Sequence, residues 1–200
     1  MISGTQRFDY TFEDRTGRNL DSDWDDIYER LYFRVCPAPT SPDEGQNERN
    51  KNKIHIYNVA YRMMRRDHSH VNLDPDVVLE FNGRSLGQIT YDTELYRCTF
   101  QIGKYIKKTS FFGGSSLIRK FTGSDGNEYK WSHGIVEGQE WTCTTGPNEI
   151  IVAHYDLLPA GSIAYRISGH NLVVKNKWAG LSIEFLSTLI IMRHVQQHNL

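Results

Sequence analysis

Phe8, Tyr10 and Phe12 alternate with Asp9, Thr11 and Glu13, the period-two pattern of a strand with one buried face. Leu31, Phe33 and Val35 alternate in the same way as far as Cys36-Pro37, where proline removes a ladder donor. The acidic run Asp21 to Asp26 between them predicts a loop or short helix. Over residues 53–66 a long strand is expected, with Ile54 and Ile56 on one face and Val59, Tyr61 and Met63 in the opposite phase. That slip predicts a β-bulge near Tyr57-Asn58. Val77, Leu79 and Phe81 lead into an Asn82-Gly83 turn and a return strand over 85–91. Tyr96, Cys98, Phe100 and Ile102 alternate up to Gly103, after which residues 105–112 read as a further strand. Arg119 to Trp131 is a hairpin around a Gly-Ser-Asp-Gly-Asn turn, and residues 141–145, 150–155, 162–168 and 172–175 complete the strand set. Residues 37–52 hold three prolines and no large apolar side chain, which predicts a mobile polar loop.

The last segment changes period. Trp178, Leu181, Ile183, Phe185, Leu186, Leu189, Ile190, Ile191, Met192 and Val195 cover most of the circumference of a helix over 178–198, leaving Glu184, Ser187 and Thr188 as a narrow polar strip. A membrane span needs about 20 predominantly apolar residues. This run is interrupted by Glu184 and ended by Arg193-His194, so it is expected to be the core of a β-protein. Short strands at regular spacing around such a helix predict a single mainly-β domain over 1–200, an antiparallel barrel enclosing its C-terminal helix.

Composition narrows the function classes. The formal net charge is −1, which removes the overall electrostatic footprint of a nucleic-acid binder, and no specific nucleic acid is expected. The three cysteines, Cys36, Cys98 and Cys143, are widely spaced, with no CxxC for zinc or redox chemistry. Reduced thiols are expected, with Cys98 and Cys143 on the apolar phase of their strands as small buried hydrophobes. The first residues carry no basic stretch followed by an apolar run, and no Asn-x-Ser/Thr sequon occurs, so a cytoplasmic protein is the expectation.

Three segments carry a family resemblance: RKFTGSDGNEYKW at 119–131, Ile151-Val152-Ala153-His154-Tyr155, and Leu186-Ser187-Thr188-Leu189-Ile190-Ile191-Met192. Together they resemble a family of uncharacterised proteins of mushroom-forming fungi, known only as a domain of unknown function. Its pattern is an R-x-F-T-G-x-D-G-x-x-Y-K-W hairpin, a V-A-x-Y/F strand and an apolar closing helix. The match covers Arg119 to His198 well and the first hundred residues loosely. The layout also looks like the tubby C-terminal superfold shared with phospholipid-scramblase and LURP-one-related proteins. That resemblance implies a barrel of about twelve antiparallel strands around the hydrophobic helix. Fold alone does not fix function.

Candidate chemistry is sparse. His68 and His70 share a strand face, with Asp67, Asp74 and Asp76 close by, and form the one cluster mixing imidazoles with carboxylates. A metal site needs three or four convergent ligands. A solvated polar loop accounts for the same residues. His194 and His198 lie one helical turn apart without the glutamate of an HExxH motif, and read as polar groups complementing the negative end of the helix dipole. His133 and His154 are single strand histidines with no triad partners at recognisable spacing.

Arg62, Arg65 and Arg66 with Lys104, Lys107, Lys108, Arg119 and Lys120 would form a basic face if their strands are neighbours. Such a face suits an anionic phospholipid headgroup or a phosphate-bearing ligand, each basic residue contributing about 1 kcal/mol near an acidic membrane. An ordinary solvated exterior is the plain alternative. The leading expectation is a non-enzymatic binding module with peripheral membrane contact and no cofactor. A metal-dependent hydrolase or nuclease using His68 and His70 stands second, and a self-associating fruiting-body structural or defence protein, implied by family distribution, third.

Overall fold

Each alternating segment pairs with the next along the chain, producing two antiparallel meanders. The computed structural model describes residues 8–39, 52–59, 74–92, 97–109, 117–157 and 170–200. The first meander holds β1 (Tyr10–Asp14), β2 (Ser22–Asp26), β3 (Tyr32–Pro37), β4 (Lys53–Val59), β5 (Val77–Asn82), β6 (Ser85–Asp92) and β7 (Arg97–Gln101). The second holds β8 (Lys107–Lys108), β9 (Ile118–Thr122), β10 (Glu128–His133), β11 (Gln139–Thr145), β12 (Ile150–Leu157) and β13 (His170–Val174). β1 pairs with β13, fusing both meanders into one thirteen-stranded antiparallel sheet whose ends are β7 and β8. Among the described residues no pairing joins those ends, so the sheet is not closed.

Several sequence expectations change. The acidic run at 21–26 is a strand, because Trp24 is fully buried against the ring of Tyr155 and the carboxylates find donors. Asp26, itself fully buried, accepts from Thr11 N–H at 3.1 Å and from the Arg30 guanidinium at 2.6 Å. No bulge occurs at Tyr57-Asn58: β3 and β4 keep one register from Tyr32↔Val59 to Pro37↔Ile54. The phase slip instead reflects a strand that is apolar on both faces. Ile54 and Ile56 enter the main core, while Tyr57 and Val59 pack with Tyr32 and Cys36 in a second cluster. The hairpin expected at Asn82-Gly83 sits one residue on, with Asn82 paired to Ser85 and Gly83 at φ +62° in the first central position. The segment expected as a strand over 105–112 begins differently. A four-residue helix, Ile102–Tyr105, follows β7 directly, and β8 pairs over two residues only. Residues 162–168, residues 40–51 of the polar loop expected over 37–52, and the part of the expected long strand after Val59 lie outside the described residues.

A 3-10 segment, Asn176–Leu181, leads into the C-terminal helix Ser182–His198. Strands from both meanders reach this helix. Phe81 of β5 stacks on His194 at 4.0 Å, Tyr91 of β6 meets Ser187, and Trp131 of β10 meets Thr188. Tyr129 of β10 packs edge-on against Phe185, and Arg193 lies 3.7 Å from the buried Asp14 of β1. The helix is buried on nearly every side, so its polar strip must be satisfied internally. Thr188 Oγ1 donates to the Glu184 carbonyl at 2.7 Å and accepts from Trp131 Nε1–H at 2.9 Å. Ser187 Oγ likewise donates to the Glu184 carbonyl at 3.1 Å, leaving Tyr91 to donate its hydroxyl proton to Ser187 at 2.9 Å. Glu184 accepts from Ser124 N–H at 2.9 Å and from the Ser124 hydroxyl.

Replacing Thr188 by Val keeps the shape of the side chain but leaves the fully buried Trp131 N–H without an acceptor. The expected cost is about 1–3 kcal/mol, read from urea unfolding midpoints at unchanged m-value. A loss under a few tenths of a kcal/mol, on the same measure, would show that the bond is dispensable.

Candidate functional site

The site lies where the sheet fails to close. Ile102 and Ile106 are fully buried and pin the short helix between them into the core, which brings Tyr105 across the gap between β7 and β9. Its ring stacks on Phe100 of β7 at 5.2 Å and 23°, and meets Phe121 of β9 at 5.9 Å. Aromatic packing therefore spans the seam that backbone hydrogen bonds leave open. Over the seam runs a cleft of about 640 Å³, within the range of small-molecule sites.

Among the described residues three lysines line the cleft: Lys104 from the short helix, Lys107 from β8 and Lys120 from β9. Lys107 is cross-strand partner to Lys120, so like charges stand opposite each other there, an unfavourable pairing unless something neutralises it; Lys108 pairs with Arg119 in the same ladder. Among the described residues Glu128 of β10 is the one carboxylate on the cleft wall, and it is engaged with Lys120 at 2.6 Å. Among the described residues no carboxylate forms an ion pair with Lys104, Lys107 or Lys108.

The β9–β10 turn shapes the far wall. Gly123 follows β9, and a Cβ there would sit 2.8 Å from the Tyr129 ring and 2.9 Å from Asp125 Oδ1, so only glycine fits without displacement. Asp125 accepts from the Tyr129 hydroxyl at 2.7 Å and from Asn127 N–H at 3.0 Å. Partial burial works against the Asp125 charge, yet these donors hold its carboxyl below the ordinary range. Beyond the turn a smaller chamber of about 330 Å³ reaches Glu184. Burial pushes the Glu184 carboxyl up from its ordinary value, against the opposing pull of the Ser124 donors.

Of the eight expected basic residues, Lys104, Lys107 and Lys120 meet at this cleft, and Lys108 lies exposed on β8 beside it. Arg119 alternates to the inner face, is 3% exposed and donates to the Leu200 carbonyl at 2.8 Å. Arg62, Arg65, Arg66, His68 and His70 lie outside the described residues. Of the carboxylates expected beside that histidine pair, Asp76 accepts from Asn58 N–H at 2.7 Å. Among the described residues no group of three or more His, Cys, Asp or Glu side chains is arranged to hold a metal ion. Nor is any described helix long and apolar enough to cross a membrane. Cys143 is fully buried as expected, whereas Cys98 is only half-buried and borders the smaller chamber. The aromatic wall of Phe100, Tyr105 and Phe121 has no motif of its own. The signal for it is the pair of aromatics flanking Gly103, where two alternating runs meet.

His194 and His198 do come together, with ring centroids 4.4 Å apart. His194 is not a solvated polar group at the helix end: it is buried and stacked on Phe81. Burial, with a smaller push from His198, lowers its pKa from 6.5 to about 4. Between those values an unfolded chain binds a proton that the folded one refuses, so this residue's contribution is full above pH 6.5 and declines as pH falls toward about 4. A His194→Phe variant, which keeps a ring against Phe81, is expected to lose less thermal stability over that interval than the parent chain. Identical melting-temperature slopes for the two proteins would refute this assignment.

Comparison of the chain with protein-family models, with curated proteins and with solved structures finds no match.

Proposed function

We propose that this protein is a non-enzymatic intracellular binding module that recognises an anionic lipid headgroup or another phosphate-bearing ligand at the rim formed by Lys104, Lys107 and Lys120. One observation carries the reading: Lys107 and Lys120 stand opposite each other on paired strands at the mouth of a cleft, with a single carboxylate among its described lining residues. With Glu128 engaged by Lys120, an incoming phosphate supplies the neutralisation that Lys104 and Lys107 lack among the described residues. Each lysine adds about 1 kcal/mol near an anionic surface, so three such residues suit reversible, salt-sensitive peripheral contact. We also read the sheet as a barrel of the tubby-like kind opened along one seam. Support for that reading comes from the C-terminal helix, which strands of both meanders contact.

Vesicle sedimentation tests the function. The protein is expected to pellet with phosphatidylcholine vesicles doped with an anionic phospholipid, to remain in solution with phosphatidylcholine alone, and to release as salt is raised. Lys104→Ala and Lys107→Ala should each weaken binding by roughly 5-fold. Competition by a soluble inositol phosphate separates recognition of the phosphate itself from recognition of the bilayer surface. Equal and negligible binding to both vesicle types, with no inositol phosphate bound, overturns the proposal.

A further inference from the structure

The cleft has a second compartment whose lining differs from its rim. The smaller chamber shares Phe100, Tyr105, Thr122 and Gly123 with the outer cleft, so the two adjoin across the same residues. Among the described residues no lysine lines it, and its remaining walls are Tyr91, Cys98, Ser124 and Glu184. Of these, Ser124 and Glu184 bond to each other, and the Tyr91 hydroxyl is engaged by Ser187. With those polar groups engaged, the chamber presents mainly ring faces and a thiol, with the Tyr105 and Thr122 hydroxyls where it adjoins the outer cleft, a predominantly apolar surface that gains from contact with hydrocarbon. At the junction Phe100 remains 41% exposed, an apolar side chain standing between a basic rim and an apolar interior.

We propose that the ligand is amphipathic: a single-chain alkyl or acyl phosphate whose headgroup sits among Lys104, Lys107 and Lys120 while its chain passes Phe100 and Tyr105 into the smaller chamber. This inference rests on the phosphate-recognition reading above and specifies its ligand. Charge and size both fit. The rim is cationic where the phosphate lies, and beyond it the chamber of about 330 Å³ is lined by Tyr91, Cys98, Phe100 and Tyr105, with Glu184 held by Ser124 at its wall. A methylene takes up about the space of a water molecule, about 30 Å³, so the chamber accommodates on the order of ten.

Calorimetric titration of the full chain with ethyl, butyl, hexyl, octyl and dodecyl phosphate, each below its micelle-forming concentration, tests the proposal. Inorganic phosphate and a neutral octyl glucoside complete the series. Affinity is expected to climb about fourfold per methylene while the chain fills the chamber, then to level off. Binding of the longer members should carry a negative heat-capacity change. Cys98→Phe, which occupies the chamber without touching the lysines, should bring the plateau to a shorter chain while leaving ethyl phosphate binding unchanged. If that variant fails to fold, the series on the parent chain still decides. Affinity that is the same from ethyl to dodecyl phosphate overturns the tail site while leaving headgroup recognition standing. Octyl glucoside binding as tightly as octyl phosphate overturns the lysine headgroup assignment, and no binding by any member overturns both.

Discussion

Burying the C-terminal helix on nearly all sides imposes one requirement on everything around it: each polar group on that helix must find its partner inside the protein. Glu184 takes both donors of Ser124, Ser187 takes the hydroxyl of Tyr91, and Thr188 takes the indole N–H of Trp131. These partners come from β6, from β10 and from the turn between β9 and β10, elements at opposite ends of the sheet. A chain of hydrogen bonds through the helix therefore fixes where each end of the sheet lies. Dispersion contacts from Phe185, Leu189 and Met192 tolerate small shifts, whereas an orphaned buried donor does not.

The same requirement places the cleft. Since the helix holds both sheet ends, β7 and β8 can stand apart without the protein losing its shape. Tyr105 fills the gap with an aromatic ring, leaving room above it for a ligand. Glu184, the residue that interrupts the apolar run, serves two purposes. Its Ser124 bonds anchor the β9–β10 turn, and they engage both of its carboxylate oxygens at the inner end of the cleft.

Much of the architecture was legible because strand alternation and the all-round apolar helix follow from burial, which acts residue by residue along the chain. The hairpin at 119–131 was readable from its turn residues alone, and β9 and β10 flank that turn as expected. Asp21 to Asp26 was misread because an acidic strand makes sense only once Arg30 and the Thr11 backbone are beside it, and those contacts are made through space. Tyr57 and Val59 suggested a bulge for a similar reason, since nothing in one strand reveals that its outer face is also covered. The basic cluster divided along its own alternation: Lys120 points to the cleft and Arg119 to the interior, as adjacent strand residues must. The opening between β7 and β8 was not legible, because it depends on the sheet's two ends meeting without pairing.

The two-residue length of β8 and its pair of exposed lysines have a consequence for how this molecule behaves in a crowd. An open sheet edge is a template onto which another chain can add a strand, and brevity and lysine are two of the means by which proteins discourage such growth. Lys107 thus lends charge to the cleft and, with Lys108, makes this edge less suited to strand addition. A ligand that neutralised them without covering the backbone of β7 and β9 would remove that protection, and one that lies along the seam would replace it.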